Sequence, residues 1–169
     1  MEARLRFPHR ECTEYSTLCS ESVGKASRTQ DLRLRRRSRS FAQRSFARRS
    51  LLRSAASHAS FSLHYAAGER GEVPIGAVVV HDAMVVGAAG NRTREFNDPT
   101  AHAEVLAIRE ACGNLERERL GDCDLYVTLE PCTMCAAAIS FARIRRLYFA
   151  ADDPKGGAVT SGVRFFASP

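Results

Sequence analysis

No apolar run in this sequence approaches the roughly 20 residues that a membrane-spanning helix needs, which argues against a helical membrane protein. The N-terminus lacks the apolar core of a secretory signal. That weakens a disulfide reading of the six cysteines, Cys12, Cys19, Cys112, Cys123, Cys132 and Cys135, and favours a reducing compartment with some of them on metal duty. There is no internal repeat. From Leu32 to Gly68 there is also no Asp or Glu. The 169 residues suit one domain with one buried core.

The missing acidic residues divide the chain. Residues 1–68 carry 14 Lys and Arg against 5 Asp and Glu, and residues 69–169 carry 11 against 14. The net charge of +6 is therefore +9 in the first part and −3 in the second. A basic chain suggests a nucleic-acid partner, but here the charge lies outside the part that carries motifs. Arg33, Arg35, Arg36, Arg37, Arg39, Arg44, Arg48, Arg49 and Arg53 stand among serines with little apolar periodicity. Such composition cannot bury enough apolar surface to offset its ordering entropy. The domain expectation is an Arg/Ser-rich, disordered leader over 1–67 and a folded domain over 68–169. Three readings of the leader stay open: an organellar transit peptide, a basic arm for RNA, or a product of a wrong start or frame. Residues 51–67 can hold one poor helix, weakened by Ser54, Ser57, Ser60 and Ser62.

The second part alternates strands and helices. The β-branched run at 73–80 reads as a buried strand, His81-Asp82-Ala83 as a turn and Met84–Ala89 as the second arm of a hairpin. Asp98-Pro99-Thr100 predicts a helix start, and Gly113-Asn114 its end. Leu125–Leu129 predicts a third strand, Cys132–Ala142 a second helix with a compact Ala136-Ala137-Ala138 face, and Leu147–Ala150 a fourth strand. A Gly- and Asp-rich loop covers 152–162. This order implies an α/β sheet with helices on its faces.

Two motifs carry chemistry: His102-Ala103-Glu104 and Pro131-Cys132-Thr133-Met134-Cys135. Two residues between cysteines let both thiolates reach one tetrahedral metal. Both motifs open predicted helices, and a helix N-terminus favours thiolate over thiol. One His and two Cys make three ligands, where structural zinc usually takes four and catalytic zinc leaves a position open. Glu104 then has work to do. A carboxylate beside the metal can take a proton from attacking water, deliver it to a ring nitrogen and then to leaving ammonia. Residues i and i+2 of a helix do not face each other, so the metal must lie off the helix end. Cys123 and Cys112 read as plain buried thiols; a fourth Cys ligand would make the site structural. Either motif alone is weak, but together they form the general signature of zinc-dependent deaminases.

The matching text is broader than that signature. It runs through Glu-Val-Pro-Ile-Gly-Ala-Val-Val-Val at 72–80, Gly-Asn-Arg-Thr-Arg at 90–94, Asn-Asp-Pro-Thr-Ala-His-Ala-Glu at 97–104 and Leu-Tyr-Val-Thr-Leu-Glu-Pro-Cys-Thr-Met-Cys-Ala-Ala-Ala-Ile at 125–139. Ala-Arg-Ile-Arg-Arg-Leu-Tyr-Phe at 142–149 and Asp-Pro-Lys-Gly-Gly-Ala-Val at 153–159 extend it. From about Gly68 to Pro169 the chain resembles the bacterial tRNA-specific adenosine deaminases. The resemblance implies a cytidine-deaminase-like three-layer α/β/α sandwich with a mixed sheet. It also implies a cytoplasmic homodimer that converts adenosine to inosine at the wobble position of a tRNA anticodon. It implies one Zn2+ per subunit on His102, Cys132 and Cys135, and Glu104 as proton shuttle. Asn91 would contact the flipped base or its ribose, and the loop around Asp153 and Lys155 would contact the RNA. The family has an amphipathic helix before the Gly-Glu-Val-Pro stretch, which residues 52–67 match poorly, and a last strand and C-terminal helix after Arg-Phe-Phe. The expectation is a domain without that last strand and helix.

Other functions compete. A small-molecule deaminase of guanine, cytosine or a pterin-like base would use the same metal and carboxylate. A non-enzymatic zinc module would need four protein ligands, and an inactive fragment of a tRNA deaminase would keep the motifs without turnover. An organellar location would follow if residues 1–60 are a transit peptide.

Overall fold

The structure, a computed structural model, describes residues 41–167. The greater part of the expected leader, residues 1–40, lies outside the described residues. Helix α1 (Phe41–Glu69) leads into a hairpin of β1 (Gly76–His81) and β2 (Met84–Gly90). Helix α2 (Ala103–Asn114), strand β3 (Asp124–Val127), helix α3 (Thr133–Phe141) and strand β4 (Arg146–Phe149) follow. The sheet order is β2-β1-β3-β4. Strand β1 is antiparallel to both its neighbours, and β3 and β4 are parallel, so the sheet is mixed as expected.

The hairpin turns at Asp82 and Ala83, whose φ values of 46° and 71° are both left-handed. Two such residues give a turn whose twist matches the flanking strands. A bulge follows, because Val79 pairs with Gly87 while Val80 pairs with Val85. Alternation along β1 then sorts the two faces. Ala77 and Val79 join Ala103, Ala107, Ile108, Ala111, Leu125, Val127 and Ile139 in the core under α2 and α3. The opposite face meets α1, where any Cβ on Gly76 would run into the Ser60 carbonyl and the His64 amide. On the α2 side, a Cβ on Gly87 would likewise strike the Ala107 carbonyl. Helices therefore touch strand backbone on both sides, which gives three layers.

Helix α1 is longer and better packed than its serines suggest. Ser60 Oγ donates to the Ser57 carbonyl (2.8 Å) and Ser62 Oγ to that of His58 (3.1 Å), so these hydroxyls are satisfied inside the helix. Ala56, Ser60 and Ala67 are buried. Arg53 donates to the Tyr148 hydroxyl (2.6 Å) and lies 4.7 Å from the centre of that ring, which stacks on Tyr126. Packing thus starts near Arg53, ahead of the boundary expected at residue 68. Among the described residues, no helix is long and apolar enough to cross a membrane.

Candidate functional site

Helix α2 begins at Ala103, four residues later than Pro99 suggests. Asp98 Oδ1 accepts from both the amide and the hydroxyl of Thr100 (2.7 Å each), a tight turn that delays the helix. The delay makes His102 the N-cap, with extended φ and ψ of −73° and 149°, and puts Glu104 in the first helical turn. The i, i+2 difficulty disappears, because His102 stands outside the helix and Glu104 within it. The same device repeats in α3. Cys132 is the extended N-cap and Cys135 lies in the first turn. Neither His102 nor Cys132 makes a side-chain capping hydrogen bond. Instead, Asn91 Oδ1 accepts from the Ala103 amide (2.8 Å), so a buried side chain of the preceding loop caps α2.

The three expected ligands come together. One donor atom each from His102, Cys132 and Cys135 lies within 4.8 Å of the others. His102 Nδ1 is 3.7 Å from Cys132 Sγ and 3.5 Å from Cys135 Sγ. The thiol of Cys135 donates to Cys132; against the opposing effect of burial, that hydrogen bond draws Cys132 down to about 5. The same bond, burial and the nearby Glu104 carboxylate push Cys135 upward. Burial pushes Glu104 above the usual carboxylate range. One of its oxygens is within hydrogen-bonding reach of Cys135, while Oε2 is buried without any partner. A buried polar atom left unpaired is costly and points to a group that completes it. Two thiols and an imidazole are a donor set suited to zinc, and three ligands leave one position for a reactant. Residues and metal therefore fit.

Cys123 stays apart from this cluster. It is fully buried, and burial together with its bond to the Asp122 carboxylate pushes its thiol up to about 11. Cys112 is a half-buried thiol near the Glu118 carbonyl. Asp153 Oδ1 accepts from the amides of Lys155 and Gly156 (3.0 Å each), so the carboxylate closes its own turn, and Lys155 is exposed.

Two buried carboxylates escape a reading of the sequence. Glu72 accepts from the amides of Arg94 (3.0 Å) and Glu95 (2.9 Å) and from the Thr93 hydroxyl (3.0 Å), shaping the loop between Asn91 and His102. Glu130 does the same for residues 153–161. Its Oε1 accepts from the amides of Val159 (2.9 Å), Thr160 (2.7 Å) and Ser161 (2.8 Å). Its Oε2 accepts from the Asp153 amide (3.0 Å) and the Ser161 hydroxyl (2.8 Å). Burial raises the pKa of Glu130, but these donors outweigh it and bring the group down to about 2. A side chain at Gly157 would collide with the Glu130 carboxylate, a close approach that only the fold reveals.

The model of the MafB19-like deaminase family matches residues 54–167. A tRNA-specific adenosine deaminase of Agrobacterium fabrum (strain C58 / ATCC 33970) is 73% identical over 103 residues, 61% of this chain and 68% of that protein. A solved structure from work on A-to-I editing by tRNA:A34 deaminases superposes with a TM-score of 0.68 at 65% identity, covering 69% of this chain and 84% of that one. A guanine deaminase from Bacillus subtilis superposes at 0.57 with 40% identity, covering 59% of this chain and 64% of that one.

Proposed function

The chain belongs to the MafB19-like deaminases and, with them, to the tRNA-specific adenosine deaminases, and from that premise we propose that it hydrolyses adenosine to inosine and ammonia at the wobble position of a tRNA anticodon. The observation that carries the chemistry is the buried, unpartnered Oε2 of Glu104 beside the His102, Cys132 and Cys135 donors. The choice of RNA over a free base rests on the 73% identity to a protein of that name.

His102, Cys132 and Cys135 would hold one zinc ion, which supplies the Lewis acid that makes water nucleophilic near neutral pH. Glu104 accepts the proton that water loses as its oxygen bonds to C6 of adenine. It passes that proton to N1 and carries the second, from the hydroxyl now on C6, to the amino group as the C6–N bond breaks, so that water and adenosine become ammonia and inosine. Burial moves this carboxyl upward from the usual carboxylate range, the direction that suits a group that takes and then gives a proton. Asn91, with its oxygen committed to Ala103, has its amide nitrogen left to donate to the base or ribose.

Two further readings follow. The α2–α3 face carries Val105, Ala138 and a Phe141 that is 82% exposed, flanked by Arg109, Glu118 and Arg119, a mixed apolar and charged surface suited to a homodimer. A cytoplasmic enzyme fits the proposed substrate, or an organellar one if residues 1–60 direct import.

The test is direct. The zinc-loaded chain is incubated with an anticodon stem-loop carrying adenosine at the wobble position, and in parallel with free guanine and cytosine. Inosine should form only in the RNA. Turnover of a free base without any inosine in RNA would overturn the reading in favour of a small-molecule deaminase.

A further inference from the structure

We infer that Glu130 is a positioning residue for the substrate: it locks the 153–161 loop against the segment bearing Cys132 and Cys135, so that the loop's exposed groups meet an RNA chain at a fixed place. This rests on the RNA-deaminase reading above.

Few side chains of the loop are buried to anchor it. Its buried apolar residues are Ala158 and Val159, and Gly156 and Gly157 give it no side-chain anchors. Glu130 fills that role from below with both oxygens. Oε2 takes the start of the loop at Asp153, and Oε1 takes its end at Val159, Thr160 and Ser161. A buried carboxylate is expensive unless its lone pairs are filled, and here backbone amides fill them. The loop then lies along the ligand segment. Ala158 donates to the Pro131 carbonyl (3.0 Å), and Gly157 forms an antiparallel bridge with Cys132.

The link reaches outward in one more step. With its amide fixed by Glu130, Asp153 uses its own carboxylate to hold the amides of Lys155 and Gly156. The exposed Lys155 is thereby referred, through Asp153 and Glu130, to the residue two positions before Cys132. Glu130 touches no reacting atom. Its effect would appear in how well substrate is held.

Glu130→Gln tests this with little change in volume. One oxygen becomes an NH2 that donates, so either Asp153 or the 159–161 amides lose their acceptor. On the full-length, zinc-loaded chain, three quantities are read: zinc content, amide hydrogen exchange across 153–161, and kcat and KM for the stem-loop. We expect one zinc per chain, faster exchange in that loop, KM raised about tenfold and kcat within about twofold of the parent. Ser161→Ala, which removes a single hydroxyl bond at a half-exposed residue, should move exchange and KM the same way by less, and stands in if the Gln variant does not fold. Unchanged exchange, lost zinc, or a fall in kcat at constant KM overturns the proposal. The parent's own activity separates the two failures. A parent that makes no inosine sinks the RNA reading and the positioning with it. An active parent whose Gln variant keeps its KM sinks the positioning alone.

Discussion

Replacing Glu104 by Gln should separate catalysis from everything else the site does. The side chain is 3% exposed and Oε2 has no partner. Gln keeps the length and one oxygen but cannot carry a proton. Loss of a positioned acid–base group costs roughly 10²- to 10⁴-fold, or about 2.7 to 5.5 kcal/mol of barrier at about 1.36 kcal/mol per decade. Stability should hardly change. An unpaired buried polar atom costs about 1–3 kcal/mol, and Gln exchanges one such atom for another. Zinc should remain, because the donors His102, Cys132 and Cys135 are untouched. The assay reads zinc content, stem-loop affinity, melting and inosine formation on one preparation. The expected pattern is normal zinc, normal affinity, a melting temperature close to the parent's and turnover down by at least two decades. Glu104→Ala should be no better. Turnover retained in the Gln variant would refute the shuttle, and zinc lost with activity would make Glu104 a ligand instead.

Gly76→Ala should destabilise the chain by about 1–3 kcal/mol, because the new methyl meets the Ser60 carbonyl and the His64 amide of α1; an unchanged melting temperature would show that α1 does not pack on β1. Ala83→Gly should stabilise by about 0.5–1 kcal/mol, since Ala83 sits at φ 71°, which Gly adopts freely; thermal melting reads the shift, and a lower melting point would sink the turn argument. Removing zinc with a chelator should make Cys132, half-buried with its thiol drawn down to about 5, react with a disulfide reagent under native conditions, well ahead of the buried Cys135. Cys123, buried with its thiol pushed up to about 11, should stay slow before and after, and fast labelling there would contradict its placement.

The hairpin and the His/Cys cluster were legible because their signals are local. A β-branched run at 73–80 and cysteines three apart say what they are without knowing their neighbours. Helix starts were legible only to within about four residues, since the Asp98–Thr100 turn competes with the helix for the same backbone. Helix α1 was harder to read for a different reason. Its buried face is made of small residues such as Ala56, Ser60 and Ala67, facing Gly76 and Gly90. Close approach of backbones replaces bulky burial there, and apolar periodicity does not register it. Glu130 was illegible because its partners are backbone amides 23 to 31 residues away, which leave no trace in residue identity. A Glu before a Pro reads as the end of a strand and nothing more.

Glu72 and Glu130 have a consequence for ionic strength. Backbone amides in loops are a common means of gripping phosphate. Here the amides of Arg94, Glu95, Asp153, Val159, Thr160 and Ser161 already serve two internal carboxylates. An RNA backbone arriving at these loops would have to be held by basic side chains such as Arg94, Lys155 and Arg164. Each phosphate neutralised in that way releases condensed counterions and contributes about −0.7 to the slope of log affinity against log salt for a single strand. Substrate capture would therefore weaken steadily as salt rises, while the loops themselves, tied to buried acids, keep their shape.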